Sequence, residues 1–200
     1  MEMGSKREIE IKLALESADE GRRLLRRTGF RVVRRRIHED NLVFDTLEGR
    51  LRRTGLLLRL RLTGHGCLLT FKGPAAKSKH KSRLELEIPI QDQGTCRSIL
   101  AGLGFNQAFR YEKFRTEFQG PDRRGLVTLD ETPVGPYLEL EGDPHWIEAT
   151  ARRLGFSQQS YISDSYGDIY WSYCRRLGRR PGDMVFPTSL DVSACPRPMA

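Results

Sequence analysis

Long apolar runs are missing from this chain of 200 residues. No stretch is apolar for long enough to cross a membrane as a helix, and Met1–Arg7 lacks the apolar run of a secretory signal. Cysteine is scarce and scattered: Cys67, Cys96, Cys174 and Cys195 share no metal-ligand spacing, and His38, His65, His80 and His145 are just as dispersed. A zinc module is thereby disfavoured, and free thiols point to a cytoplasmic protein. Apolar residues supply only 38% of the chain, enough for one core, and the length suits a single domain. Acidic residues are the minority charge, 26 against 34 Lys and Arg, for a net charge of +8. After Tyr173, five arginines (175, 176, 179, 180 and 197) face two aspartates (183 and 191), so that stretch supplies +3 and leaves +5 on the rest. Such a balance fits an anionic partner but lacks the dense basic stripe of a duplex binder.

What the chain does have is alternation. Arg7–Leu15 reads R-E-I-E-I-K-L-A-L, charged and apolar by turns, which predicts a strand. Further strands are predicted at Arg31–His38, Asn41–Thr46, Leu56–Thr63, Gly66–Lys72, Arg83–Ile90, Arg110–Phe118, Leu126–Glu131 and Pro136–Gly142, with a hairpin turn at Gly64-His65. Helices are predicted at Asp19–Thr28, Thr95–Leu103, Trp146–Leu154 and Ser163–Arg175. Beyond Leu177 the Pro- and Arg-rich segment shows little periodicity, and disorder is expected over 177–200, leaving 1–176 as the domain. Three of the strands carry a glutamate pair: Glu8/Glu10, Glu85/Glu87 and Glu139/Glu141. Each is followed by a short helix and a Gly-Phe step, at 29–30, 104–105 and 155–156, which reads as a repeated structural unit.

Residues two apart on a strand share a face. Glu8, Glu10 and Lys12 therefore oppose Ile9, Ile11 and Leu13. In the same way Arg59 and Arg61 oppose Leu58, Leu60 and Leu62, and Arg83, Glu85 and Glu87 oppose Leu84, Leu86 and Ile88. Thr70 and Lys72, Lys113 and Arg115, and Glu139 and Glu141 complete the charged face. For any one strand a solvated face suffices as an explanation. Taken together the strands argue otherwise, because glutamate is a poor strand former and the amphipathic helices need the apolar face as their partner. Covering that face and closing the sheet turns the charged face into the lining of a barrel, and removes the sheet's edges. Charges of both signs inside a barrel are costly unless paired or ligand-bound. Carboxylates suit Mg²⁺ or Mn²⁺, and Arg and Lys suit phosphate oxygens. A nucleic-acid backbone suits the lining less well, since the glutamates would repel it.

The ordered series Glu8-Ile9-Glu10-Ile11-Lys12, Val43-Phe44-Asp45, Leu58-Arg59-Leu60-Arg61, Thr70-Phe71-Lys72-Gly73-Pro74, Arg83-Leu84-Glu85-Leu86-Glu87, Tyr111-Glu112-Lys113-Phe114-Arg115, Leu129-Asp130-Glu131, Tyr137-Leu138-Glu139-Leu140-Glu141-Gly142 and Ser165-Tyr166 resembles the CYTH family of triphosphate tunnel metalloenzymes. Its overall look is nearest the class IV adenylyl cyclase-like branch. The resemblance implies an α+β fold: a closed, antiparallel eight-stranded barrel, with helices packed on the outside. It implies metal ligation by Glu8, Glu10, Glu139 and Glu141, with Asp130 as a further ligand or orienter. Lys12, Arg59, Arg61, Lys72, Lys113 and Arg115 would hold the phosphates. Arg83, Glu85 and Glu87 would line the substrate side of the wall, and Glu8, Glu10 and Lys12 would serve catalysis. Asp164 departs from the family pattern, in which a basic residue often precedes the final Ser-Tyr. Lys77, Lys79 and Lys81 lie in a loop that would either close over the tunnel or remain a solvated turn.

Expected partners are a small-molecule triphosphate (ATP, inorganic triphosphate or thiamine triphosphate) with Mg²⁺ or Mn²⁺, and neither membrane nor nucleic acid; assembly as a homodimer is left open. Hydrolysis is placed ahead of cyclisation of ATP, which uses the same architecture with a ribose hydroxyl in place of water. Non-catalytic polyphosphate binding and RNA 5′-triphosphate processing are the remaining readings. For the last, Tyr170, Trp171 and Tyr173 are the candidate stacking residues, better explained as packing for the final helix.

Overall fold

The computed structural model describes residues 6–76 and 80–187. The alternating segments form strands β1 (Lys6–Ala14), β2 (Arg31–Asp45), β3 (Leu57–Thr63), β4 (Gly66–Lys72), β5 (Lys81–Ile90), β6 (Asn106–Gln119), β7 (Gly125–Thr132) and β8 (Gly135–Gly142). They close into one antiparallel barrel in the order β1-β5-β4-β3-β2-β6-β7-β8. β1 is the seam. Its first half pairs with β5, up to Glu10 opposite Lys81, and its second half with β8, starting from Glu10 opposite Glu141. Closure leaves no long open edge to recruit another chain.

The apolar alternate residues point outward, where the helices cover them. Ile11, Leu13, Val127, Leu129, Leu138 and Leu140 pack with Leu25 of α1 (Ala18–Arg27) and with Trp146, Ile147 and Ala151 of α4 (Pro144–Arg153). On the far wall Leu42, Phe44 and Leu60 pack with Leu100 of α3 (Gln93–Gly102). Each such side chain, fully buried, contributes roughly 1.5–3 kcal/mol. Trp146 lies flat on the backbone of two neighbouring strands: a Cβ at Gly125 would come within 2.4 Å of its ring. Ser17, Asp92 and Asp143 cap the N-termini of α1, α3 and α4, accepting backbone N–H bonds from Glu20, Thr95 and His145. The repeated Gly-Phe step is the other cap. Gly29, Gly104 and Gly155 all adopt positive φ, and the Phe after each donates its backbone N–H to a carbonyl five residues back, at Leu25, Leu100 and Ala151. Its ring then joins the core, so the repeat is a strand–helix unit with a Schellman ending.

The structure departs from the sequence expectations at four places. Arg31–Asp45 is one strand, not two, because Glu39-Asp40 is no turn: Glu39 is buried inside the barrel, and Asp40 pairs outside with Arg110 at 2.8 Å. A one-turn helix, α2 (Arg50–Arg53), follows β2. Its first N–H groups are held by the carboxylate of Asp45, which accepts from Leu51 and Arg52 at 2.8 and 3.0 Å. The last helix, α5, spans Tyr166–Arg176 and opens at a capping box between Ser165 and Asp168, three residues later than its predicted start. The segment after Leu177 is ordered as far as it is described. Met184 is 1% exposed and exchanges backbone hydrogen bonds with β6, donating to Arg110 O and accepting from Glu112 N. It occupies the part of β6 that β7 leaves unpaired, since β7 reaches only Phe114. Disorder from 177 onward therefore does not hold for 178–187; residues 188–200 lie outside the described residues.

Candidate active site in the barrel lumen

The inward residues surround a cavity of about 1170 Å³ that runs through the barrel. Glu8, Glu10, Lys12, Arg59, Arg61, Lys72, Arg83, Glu85, Glu87, Lys113, Arg115, Glu139 and Glu141 all line it. Of the predicted site residues only Asp130 does not; it lies behind Lys113 and Arg115.

The acidic side is built by β1, β5 and β8. Lys12 Nζ sits between Glu10 and Glu139, at 3.2 and 3.3 Å, and Lys72 Nζ between Glu8 and Glu85, at 2.6 and 3.0 Å. Arg83 approaches Glu8 at 3.7 Å, and Lys81 approaches Glu10 at the same distance. Burial raises the Glu8 carboxyl above its ordinary range and Glu10 and Glu85 add to it, outweighing Lys72. For Glu10 burial acts in the same direction, but the neighbouring lysines, led by Lys12, win and hold it at about 2. Lys81 goes the other way: burial and Lys12 bring its ammonium down to about 8.

The basic side is built by β3 and β6. Arg59 donates to Tyr111 Oη at 3.2 Å and to Thr70 Oγ1 at 3.3 Å, and Thr70 passes a 2.7 Å bond to Glu87. Arg61 and Lys113 each lie 3.6 Å from Glu39, which is 2% exposed. Burial alone would push Glu39 up, yet Lys113, Arg115, Arg61 and Arg59 together hold it at about 2. The nearest Glu39 oxygen and Arg61 Nε are buried without a hydrogen bond. Burial and the proximity of Arg59 lower the Arg61 pKa, with Glu39 only partly offsetting them. Four cations thus surround Glu39, and two of them, Lys113 and Arg115, have further carboxylate partners.

Asp130 organises this wall from behind. Fully buried, it accepts from Lys113 at 2.7 Å, from Arg115 at 2.7 and 2.6 Å, and from Tyr166 Oη at 2.7 Å. Arg115 also pairs with Glu139. Held by two cationic donors and one phenolic donor, Asp130 orients Lys113 and Arg115. Tyr166 fixes α5 across one side of the lumen, its ring 5.3 Å from Lys12 Nζ and 4.9 Å from Lys113 Nζ. Burial, reinforced by Asp130, raises the Tyr166 hydroxyl well above its ordinary range, so it stays a proton donor.

The donor chemistry of Glu8, Glu10, Glu139 and Glu141 fits a hard divalent cation. Among the described residues no three carboxylate, imidazole or thiolate groups form a ready-made cage. Ammonium groups stand between the carboxylates instead, Lys12 between Glu10 and Glu139 and Lys72 between Glu8 and Glu85.

Sequence reasoning missed Glu39 and gave no role in the site to Tyr111, Tyr137 and Tyr166, and it placed Lys81 in a loop, whereas Lys81 begins β5 and is buried beside Glu10. Lys81 shares the inward parity of Arg83 and Glu85, and Tyr111 that of Lys113, so the alternation held a signal for both. Lys77 and Lys79 lie outside the described residues. Asp164 is exposed at the cavity mouth formed by α2 and α5, where Leu51, Leu56, Leu57, Phe109 and Trp171 give an apolar rim and the Arg52 guanidinium stacks 3.2 Å from the Trp171 ring centre.

Residues 6–166 match the family model of the CYTH domain. Over 134 residues, 67% of this chain and 75% of the relative, the sequence is 29% identical to a candidate adenylate cyclase of Methanocaldococcus jannaschii. Among solved structures it resembles a Pyrococcus horikoshii protein, with a TM-score of 0.70 and 28% identity, covering 83% of this chain and 99% of that one. It also shares the fold of a candidate adenylate cyclase from Vibrio parahaemolyticus, with a TM-score of 0.72 and 21% identity over 83% and 98% of the two chains.

Proposed function

The chain belongs to the CYTH domain family, and from that premise we propose that it is a divalent-metal-dependent enzyme that hydrolyses a triphosphate held in the barrel lumen. The observation that carries this reading is a lining of interleaved carboxylates and cations. Lys12 stands between Glu10 and Glu139, Lys72 between Glu8 and Glu85, and Arg115 pairs with Glu139, while Arg59, Arg61, Lys113 and Arg115 surround Glu39. Glu8, Glu10, Glu139 and Glu141 would hold Mg²⁺ or Mn²⁺, which when bound neutralises phosphate oxygens and polarises phosphorus. The arginines fork onto non-bridging oxygens, while Lys12 and Lys72 leave their glutamates to meet the chain as its charge arrives. Tyr166 and Asp130 keep Lys113 and Arg115 aimed inward throughout. Water attacks the terminal phosphorus, its bond to the bridging oxygen breaks, and orthophosphate and a diphosphate leave.

Cyclisation of ATP is the second reading. The apolar rim at Trp171 and Phe109 favours it, because it offers a nucleoside somewhere to rest beside the phosphate site; the Methanocaldococcus relative points the same way. Incubation with ATP, inorganic triphosphate and thiamine triphosphate, each with Mg²⁺, Mn²⁺ or chelator, separates the readings by product. Orthophosphate in metal alone supports hydrolysis; cyclic AMP with diphosphate replaces it by cyclisation. Undiminished turnover in chelator contradicts both.

A further inference from the structure

The first six residues of β2, Arg31-Val32-Val33-Arg34-Arg35-Arg36, are all exposed, on both faces of the strand. They form an arm that leaves the barrel and is held by pairing with the end of β6. The pairing is irregular twice, between Val32 and Arg34 and between Arg34 and Ile37. Regular alternation from the lumen-facing Glu39 would send Ile37, Arg35 and Val33 inward. The register instead sets Ile37, Arg34 and Arg31 opposite Arg115, Glu117 and Gln119, the inward residues of β6. Arg34 accordingly lines the tunnel mouth with Glu117, 3.1 Å away. Arg36 is turned outward and is committed to Glu131 at 2.9 Å and to the ring of Phe114. Among the described residues Arg31 and Arg35 have no acidic partner.

We propose that this arm is a second anion subsite, formed by Arg31, Arg34 and Arg35, that takes the phosphates of a chain extending out of the tunnel, so that the protein binds linear inorganic polyphosphate more tightly than triphosphate. The inference rests on the lumen being a phosphate site, and continues its cationic lining past the mouth. Polyphosphate is favoured over a polynucleotide because the arm presents arginines and two valines with no open aromatic face. Of the rings beside the arm, Phe30 and Phe118 are buried in the core, and Phe114 is covered by Arg36 and Phe186.

Calorimetric titration of the full chain with triphosphate and with polyphosphate of about fifteen units, in chelator and at several salt concentrations, reads the subsite without turnover. The longer chain should bind at least about fivefold tighter per molecule after correction for the number of registers. In R31S/R35S that gain should vanish while triphosphate affinity stays within about twofold, and the salt slope for polyphosphate should fall by about two. Equal affinity for both lengths in the wild type, or a length gain that survives in R31S/R35S, overturns the subsite while leaving the lumen reading intact. Absence of triphosphate binding both in chelator and with Mg²⁺ overturns the lumen reading and this one with it. An oligouridylate of matching length, lacking a 5′-triphosphate, that binds the arm as tightly as polyphosphate makes the surface a nucleic-acid site and contradicts the proposal.

Discussion

Glu39 carries the clearest consequence at the scale of the residue. It is the carboxylate that Arg59, Arg61, Lys113 and Arg115 surround, and in the proposed site it competes with phosphate for them. Removing one partner of a buried charged cluster leaves the other charges uncompensated, on the order of 3 kcal/mol. E39Q should therefore lower the melting temperature of the ligand-free protein. It should also bind triphosphate at least about fivefold more tightly, since one unit of competing charge is removed at an effective dielectric of about 20. Melting curves with and without triphosphate, together with calorimetry, measure both effects. Unchanged or weaker affinity in E39Q would mean that the basic wall is not where the phosphates bind. Glu39 was illegible in the sequence because it sits beside Asp40, and a Glu-Asp step reads as a turn. Only the continuous pairing of β2 with β6, which makes one face inward and the other outward, assigns the two carboxylates opposite roles.

At the scale of elements, alternation made most strands legible, because a strand that divides lumen from core has no freedom to break its period. The hairpin at Gly64-His65 stands where the sequence put it, with Thr63 paired to Gly66. What alternation does not encode is short-range capping and chain added at an edge. The α2 turn depends on Asp45 reaching backbone groups six and seven residues on, and the 178–187 segment depends on a vacancy along β6 that exists only after β7 has ended. Met184 enters the cluster of Tyr111, Tyr137 and Tyr166, so the segment supports the tyrosines that back the basic wall. Truncation after Gly178 removes this burial and the bonds to Arg110 and Glu112. It should lower stability by about 2–5 kcal/mol, the range for losing a buried Met side chain from a core. M184A should reproduce a large part of that loss. Melting temperatures of both that match the full chain would show that the docked segment adds nothing to the barrel.

At the scale of the whole molecule the account turns on one claim, that the charged face is the lining of a ligand site and not a surplus of charge. Alternation in the sequence made most of the charged lining legible, apart from Arg34, Glu39 and Glu117, and it left Lys81 in a loop and the tyrosines without a role. It did not supply the partner scheme, in which lysines already occupy the spaces between glutamates, because that follows from barrel closure at β1. Steady-state kinetics of E10Q and R59A, read beside their melting curves, test the claim most directly. E10Q keeps the shape but weakens cation binding and should lower kcat by at least about a hundredfold. R59A removes a phosphate clamp and should raise KM for the triphosphate as well as slow turnover. Both should melt above the assay temperature, since thinning a crowded set of buried charges leaves the outer apolar core untouched. Folded variants that both turn over within about twofold of the wild type, as neutral surface changes do, would contradict it.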